Sequence, residues 1–305
     1  MVKIILRSFL SVLFMFGFVV ELRSETSMES FGYLSNNWLS DSCSDPDWCN
    51  SMDSNKDGVV DNDDLLNIIN EWLFNDARGI VWIAIDKPGF SGEISKYETT
   101  NLQYANYLNQ ALSLGLVFVH SNGYVYCTDD IDCSMPLIAT YSTINQFGQI
   151  IYSNGEFIVR ERDCYDMSNH PVSWVSWYGA KAFCDYYGYH LPSEPQWTAV
   201  ADYEDNHYAC GCIIDISLAN YNVSNPLSLT SEPYTTPVGF YPAYGYDIND
   251  MAGNVWEWTS SSNSVGSYVV KGGAWDSGYY YCTVDGSKSI TASNVSGALG
   301  FRVCR

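Results

Sequence analysis

Three stretches carry apolar residues at the three-to-four spacing of an amphipathic helix. In TTNLQYANYLNQALSLG (Thr99–Gly115) the predicted inward set is Leu102, Ala105, Tyr107, Leu108 and Leu112. VSWYGAKAFCDYYG (Val175–Gly188) places Trp177, Ala180, Phe183 and Cys184 on one face, with Ser176 as N-cap and Gly188 as terminator. A shorter helix is expected from Ser193, burying Trp197 and Val200. VWIAID (Val81–Asp86) reads as a strand ahead of them. Beyond Asp202 come brief strands, VWEWTSS, YVVKGGAW and GFRVCR, set among Gly, Asn, Ser and aromatic residues. Few helices, short strands and long aromatic-studded loops predict an α+β domain over residues 80–305.

The first residues have a different texture. Lys3 and Arg7 precede an apolar run, Phe9–Val20, that is too short to cross a bilayer comfortably, and Ser24 offers a small residue for cleavage. Residues 1–24 are therefore expected to be a signal peptide. The destination is secreted, periplasmic or cell-surface, and no membrane segment remains after cleavage. Next, residues 53–64 read DSNKDGVVDNDD. A hard cation needs several oxygens converging on one point, and alternate residues of a tight loop supply them. Asp53, Asn55 and Asp57 would ligate through side chains, Val59 through its carbonyl, Asp61 through water and Asp64 at the end, with Gly58 making the turn. LLNIINEWL (Leu65–Leu73) follows at helical spacing. FGYLSNNWL (Phe31–Leu39) echoes it, Trp38 matching Trp72. Asp64 closes the loop where a calmodulin-type hand has Glu, so residues 25–76 resemble a dockerin with one of its two calcium loops missing. That resemblance implies calcium and a cohesin-like partner.

Composition narrows the function. With 14 Lys and Arg against 35 Asp and Glu, the net charge of −21 argues against nucleic acid and anionic membranes as partners. Ten Cys in an exported chain point to disulfides. Cys43 and Cys49, and Cys127 and Cys133, are spaced to close short loops. Cys210 and Cys212 are too near each other to pair, so each reaches elsewhere. His170 and His190 lack a second His at ligand spacing, and no P-loop or GxSxG is present.

Five ordered strings carry a family resemblance: ISKYETTNLQYANYLN, HPVSWVSWYGAKAFCDYYGYHLPSEPQW, YDINDMAGNVWEWTSS, VVKGGAW and GFRVCR. They resemble the formylglycine-generating enzyme, or sulfatase-modifying factor, family across about residues 80–305. The resemblance implies a C-type-lectin-like fold. It also implies a pair of Cys that bind copper and oxidise a substrate Cys. Read on from Gly272-Gly273, the family's Ser falls on Ala274, the first Cys on Ser277 and the second on Cys282. A hydroxyl is a poor Cu(I) ligand, so copper is not expected. Cys282 is left either as a residual redox thiol or in a disulfide, with Cys210 or Cys212 as candidate partners. Cys184 is implied to pair with Cys304, although Val303 moves the latter by one place. A further family disulfide is lost at Ala201 and Ser287.

The family's calcium ligands fall on Asp250, the carbonyls of Gly253 and Val255, and Glu257. A second site would start at Asn220 and the carbonyl of Tyr221, with its downstream Asp falling near Thr230. The expected protein is thus a calcium-stabilised scaffold without the oxidase. It would present loop aromatics (Tyr279–Tyr281 and Tyr241–Tyr246) to a protein or glycan ligand. Two alternatives stand beside it: an oxygen-dependent oxidoreductase using Cys282, and an assembly component docking through residues 25–76.

Overall fold

The computed structural model describes residues 59–60, 79–130, 134–142 and 145–305. The expected signal peptide, the ligands Asp53, Asn55, Asp57, Asp61 and Asp64, and Cys43, Cys49 and Cys133 lie outside them. Of the predicted calcium loop only Val59 and Val60 are described.

The chain from Ile80 onward opens with a hairpin, β1 (Trp82–Lys87) and β2 (Phe90–Ser95). Helix α1 (Asn101–Ser113) follows, started by a capping box in which Thr100 accepts from the Gln103 amide and Gln103 reaches back to Thr100. Short strands β3 (Val117–Val119), β4 (Tyr124–Cys127) and β5 (Ile138–Ala139) make one antiparallel sheet. Two small hairpins come next, β6 (Ile150–Ser153) with β7 (Glu156–Val159), and β8 (Glu161–Arg162) with β9 (Tyr165–Asp166). Helix α2 (Trp177–Tyr187) is capped by Ser176 and closed by Gly188 at φ 76°, a left-handed turn that spares glycine the Cβ clash. Helix α3 (Glu194–Ala201) starts at Ser193. The principal sheet is β12 (Ser287–Thr291), β11 (Ser267–Lys271), β10 (Trp256–Ser264) and β13 (Leu299–Gly300) in that spatial order, with β13 parallel to β10. Among the described residues no helix is long and apolar enough to cross a membrane.

Two packed groups of apolar side chains support these elements. The larger joins α1, α2 and the sheet through Tyr104, Leu108, Phe183, Trp258 and Phe301. The smaller lies under α3 and the loops, around Trp197, Ile248, Met251 and Cys282. Helix α1 corrects one expectation: Leu102 is 45% exposed, and Tyr104 fills the core instead. At roughly 100° per residue, Leu102 stands on the far side of the helix from Tyr104, Leu108 and Ala111. Leu112 and Trp177 are only half-buried, the latter stacking on Tyr268 at 3.7 Å. Trp197 and Val200 are buried as predicted.

Cys184 and Cys304, the pair implied by the family resemblance, lie close enough for Cys304 to add to burial in raising the Cys184 thiol. Both are buried, and both carry free thiols. Val303 packs in the larger group, which also holds Cys184. Cys304 is turned to the smaller group and bridges His190 through paired backbone bonds of 2.9 and 2.8 Å. Cys127 is likewise a free, half-buried thiol.

Candidate functional site

Where β10 begins, four ionisable side chains are buried together. Arg302 sends Nε to both carboxylate oxygens of Glu257 (2.9 and 2.8 Å) and Nη2 to Oε1 at 2.7 Å. Its remaining donors go to the carbonyls of Ser95, Lys96 and Asn249 at 3.1, 3.2 and 2.9 Å, tying β2 to the end of the chain. Trp197 of α3 donates to Glu257 Oε2 at 2.6 Å. Glu98, just ahead of α1, accepts from Asn254 Nδ2 at 2.8 Å and from the Val255 amide at 3.3 Å. Asp250 accepts from the Gly239 amide at 2.6 Å. Burial pushes the Glu98 carboxyl well above the usual range, and the charges of Asp250 and Glu257 add to this. Burial also lifts Asp250 to about 6, against the pull of the Gly239 hydrogen bond and Arg302.

In this arrangement the carboxylates among the expected calcium ligands, Asp250 and Glu257, have protein partners. Each oxygen of Glu257 accepts two protein hydrogen bonds. Among the described residues no three His, Cys, Asp or Glu converge as a metal site. Asn220 is consumed in the same way. Its amide donates to the Tyr234 carbonyl (2.8 Å) and to Asn254 Oδ1 (3.3 Å), while its oxygen accepts from Ser224 at 2.8 Å. The Tyr221 carbonyl accepts from the Ser224 amide, and Thr230 is held by Asp163.

Beside this centre runs the loop from Gly272 to Cys282, joined to it by the Gly253 amide on the Gly272 carbonyl (2.8 Å) and the Trp275 amide on the Asn254 carbonyl (2.9 Å). Gly273 has φ 78°, and a Cβ there would lie 2.6 Å from Cys282 Sγ. Glycine is thus required twice over. Ser277 closes a tight turn: its hydroxyl accepts from the Ala274 amide at 3.1 Å and donates to Asp276 at 3.3 Å, while its own amide reaches the Ala274 carbonyl at 2.9 Å. Cys282 ends the 3₁₀ turn Tyr279–Tyr281 and is fully buried. Burial raises its thiol to about 12, with Cys210 as the neighbouring group that adds to the shift. Cys210 is itself raised to about 11 by burial. A thiol so far above neutral pH is almost entirely protonated, hence a weak nucleophile and metal ligand.

Residues 85–305 match the family described as the Sulfatase-modifying factor enzyme 1-like domain. The chain belongs to this family. Serine/threonine-protein kinase pkn1 of Chlamydia caviae is 41% identical over 93 residues, 30% of this chain and 14% of that protein. The mouse formylglycine-generating enzyme is 36% identical over 102 residues, 30% of this chain and 27% of the enzyme. The chain therefore spans well under half the length of these relatives. PvdO of Pseudomonas aeruginosa shares 17% identity at a TM-score of 0.48, over 70% of this chain and 80% of that one. Within the sulfatase-modifying-factor frame, Ser277 and Cys282 occupy one loop as expected, but as a hydroxyl fixed in a turn and a buried thiol. They do not fit Cu(I).

Sequence reading missed Glu98 and Arg302. For Glu98 a signal existed: an acid directly before the Thr99-Thr100 cap that the cap does not use. For Arg302 it lay in the charge itself, a cation set between Phe301 and Val303.

Proposed function

We propose that this protein is an exported, binding member of the sulfatase-modifying-factor family that does not carry out copper-dependent oxidation of Cys. The observation that carries the reading is Ser277. Its hydroxyl stands where the family's first copper thiolate belongs, and it is bonded into the turn with Ala274. The partner thiol at Cys282 is fully buried. A single protonated thiol and an alcohol supply neither the two soft ligands Cu(I) prefers nor an accessible reducing centre.

Binding falls to the neighbouring rings. Tyr279 and Tyr280 are 60% and 58% exposed and lie edge to face at 5.8 Å. Tyr281 backs them at 4.3 Å and is held by Lys288, whose ammonium is 4.0 Å from its ring. Exposed, pre-positioned aromatic faces suit the apolar faces of sugars and side chains of a protein partner. Tyr241 is buried and takes no part in such a surface. At the other end of the chain, the 53–64 loop is proposed to bind one calcium, with residues 25–76 as a docking segment.

The test is copper content and oxygen uptake with a CxPxR peptide. Wild type should show neither, and Ser277→Cys, which restores the thiol pair, should gain Cu(I) binding. Stoichiometric copper with turnover in the wild type would defeat the reading. On the binding side, glycan-array and pull-down signals should fall at least about tenfold in a Tyr279→Ala, Tyr280→Ala double variant. Uniform absence of any wild-type signal would count against a binding role.

A further inference from the structure

The second sulfur near Cys282 comes from another loop. Residues 208–211 form a tight turn, closed by the Tyr208 amide on the Gly211 carbonyl (3.1 Å) and the Gly211 amide on the Tyr208 carbonyl (3.0 Å). This turn is paired to the end of the Gly272–Cys282 loop. Tyr208 bridges Thr283 in antiparallel sense, and the Val284 amide donates to the His207 carbonyl at 3.0 Å. Antiparallel register then sets Ala209 opposite Cys282, with Cys210 next along at the apex. Cys210 and Cys282 pack in one apolar group with Tyr208, Ala209, Ile214 and Tyr221. Cys212 departs from it: exposed beyond the turn, its sulfur lies 2.6 Å from Asn206 Oδ1. Cys164 is also exposed and sits outside this group.

We propose that Cys210 and Cys282 are a disulfide-forming pair that cross-links the 208–211 turn to the remnant sulfur loop when the protein meets an oxidising thiol–disulfide pool. The reaction requires a small-molecule disulfide such as oxidised glutathione. Cys210, the more accessible of the two, gives up its proton to solvent and attacks one sulfur of that disulfide, forming a mixed disulfide and releasing one small thiolate. Cys282 then loses its proton, attacks Cys210 Sγ and displaces the second small thiolate. Two electrons and two protons leave the protein pair, and two small thiols result. The bond suits an apolar pocket because a disulfide, unlike a thiolate, carries no charge to desolvate. It would also commit Cys282 to structure, which goes beyond the loss of a copper ligand at Ser277.

The experiment is disulfide mapping of the full chain, oxidised in glutathione buffer and digested without reduction, in wild type and in Cys210→Ser and Cys212→Ser. The expected result is a Cys210–Cys282 linkage in wild type and Cys212→Ser, with Cys282 alkylatable in Cys210→Ser. Reduction should lower the Tm of wild type and Cys212→Ser by roughly 5–15 °C, and that of Cys210→Ser by less. Cys282 found free in oxidised wild type, or linked to Cys212 or Cys164, would overturn the proposal. The linkage map and the copper assay are separate readouts, so failure here is told apart from failure of the binding reading.

Discussion

The carboxylate centre around Arg302 and the loop from Gly272 to Cys282 are neighbours sharing backbone hydrogen bonds, yet they are built in opposite ways. At the first, both oxygens of Glu257 and all three guanidinium nitrogens have partners, drawn from several distant parts of the chain. At the second, the backbone is held just as firmly, by Gly273, Ser277 and the 3₁₀ turn, but the side chains are a hydroxyl bonded within the turn and a buried thiol. The lesson is that closing a core and holding a loop at its edge are separate demands on the sequence. A buried charge left unpaired would destabilise the domain, whereas the loop at Ser277 is held by local hydrogen bonds.

The comparison breaks most easily at Arg302. Arg302→Ala leaves Glu257 buried and unpaired, so a loss of about 3–5 kcal/mol is expected, read by chemical denaturation or as failure to fold. Arg302→Met with Glu257→Leu should recover a good part of that loss, since removing both charges removes the desolvation penalty. If Arg302→Ala proves neutral, the contrast between the two regions is gone. Next in size is Gly273→Ala. The left-handed backbone and the 2.6 Å approach to Cys282 Sγ predict roughly 2–4 kcal/mol of destabilisation.

His170 sharpens the same point by pH. It is buried against Thr235 at 2.9 Å, and burial together with Arg162 lowers its pKa from 6.5 to about 4. The unfolded chain therefore binds the proton first, so stability falls as pH drops from about 6.5 toward 4. The full effect is on the order of 3 kcal/mol and vanishes in His170→Asn. A flat profile in wild type over that window would refute it. For calcium, titration calorimetry should find one site per chain, lost in Asp57→Ala and retained in Asp250→Asn; the reverse pattern would restore the centre around Asp250 as a metal site. The smallest expected effect is Leu102→Ser, within about 0.5 kcal/mol of wild type, because the side chain faces solvent.

Much of this was legible in the chain itself. Caps at Ser176, Ser193 and Gly188 act on the nearest turn of backbone, so a few adjacent residues suffice to predict them. The ordered motifs carried the family, and the substitution at Ser277 carried the absence of a thiol. Side-chain partnership was not legible in this way. A string shows that Asp250 and Glu257 carry oxygens, and not which protein donors those oxygens meet.

Local sequence fixed the α+β domain, its helix ends and the missing sulfur, since those depend on residue type and short-range geometry. Only tertiary structure assigned Glu257 to Arg302 and brought Cys210 into one apolar group with Cys282. Those outcomes depend on which distant segments pack together, and no short run of residues carries that information.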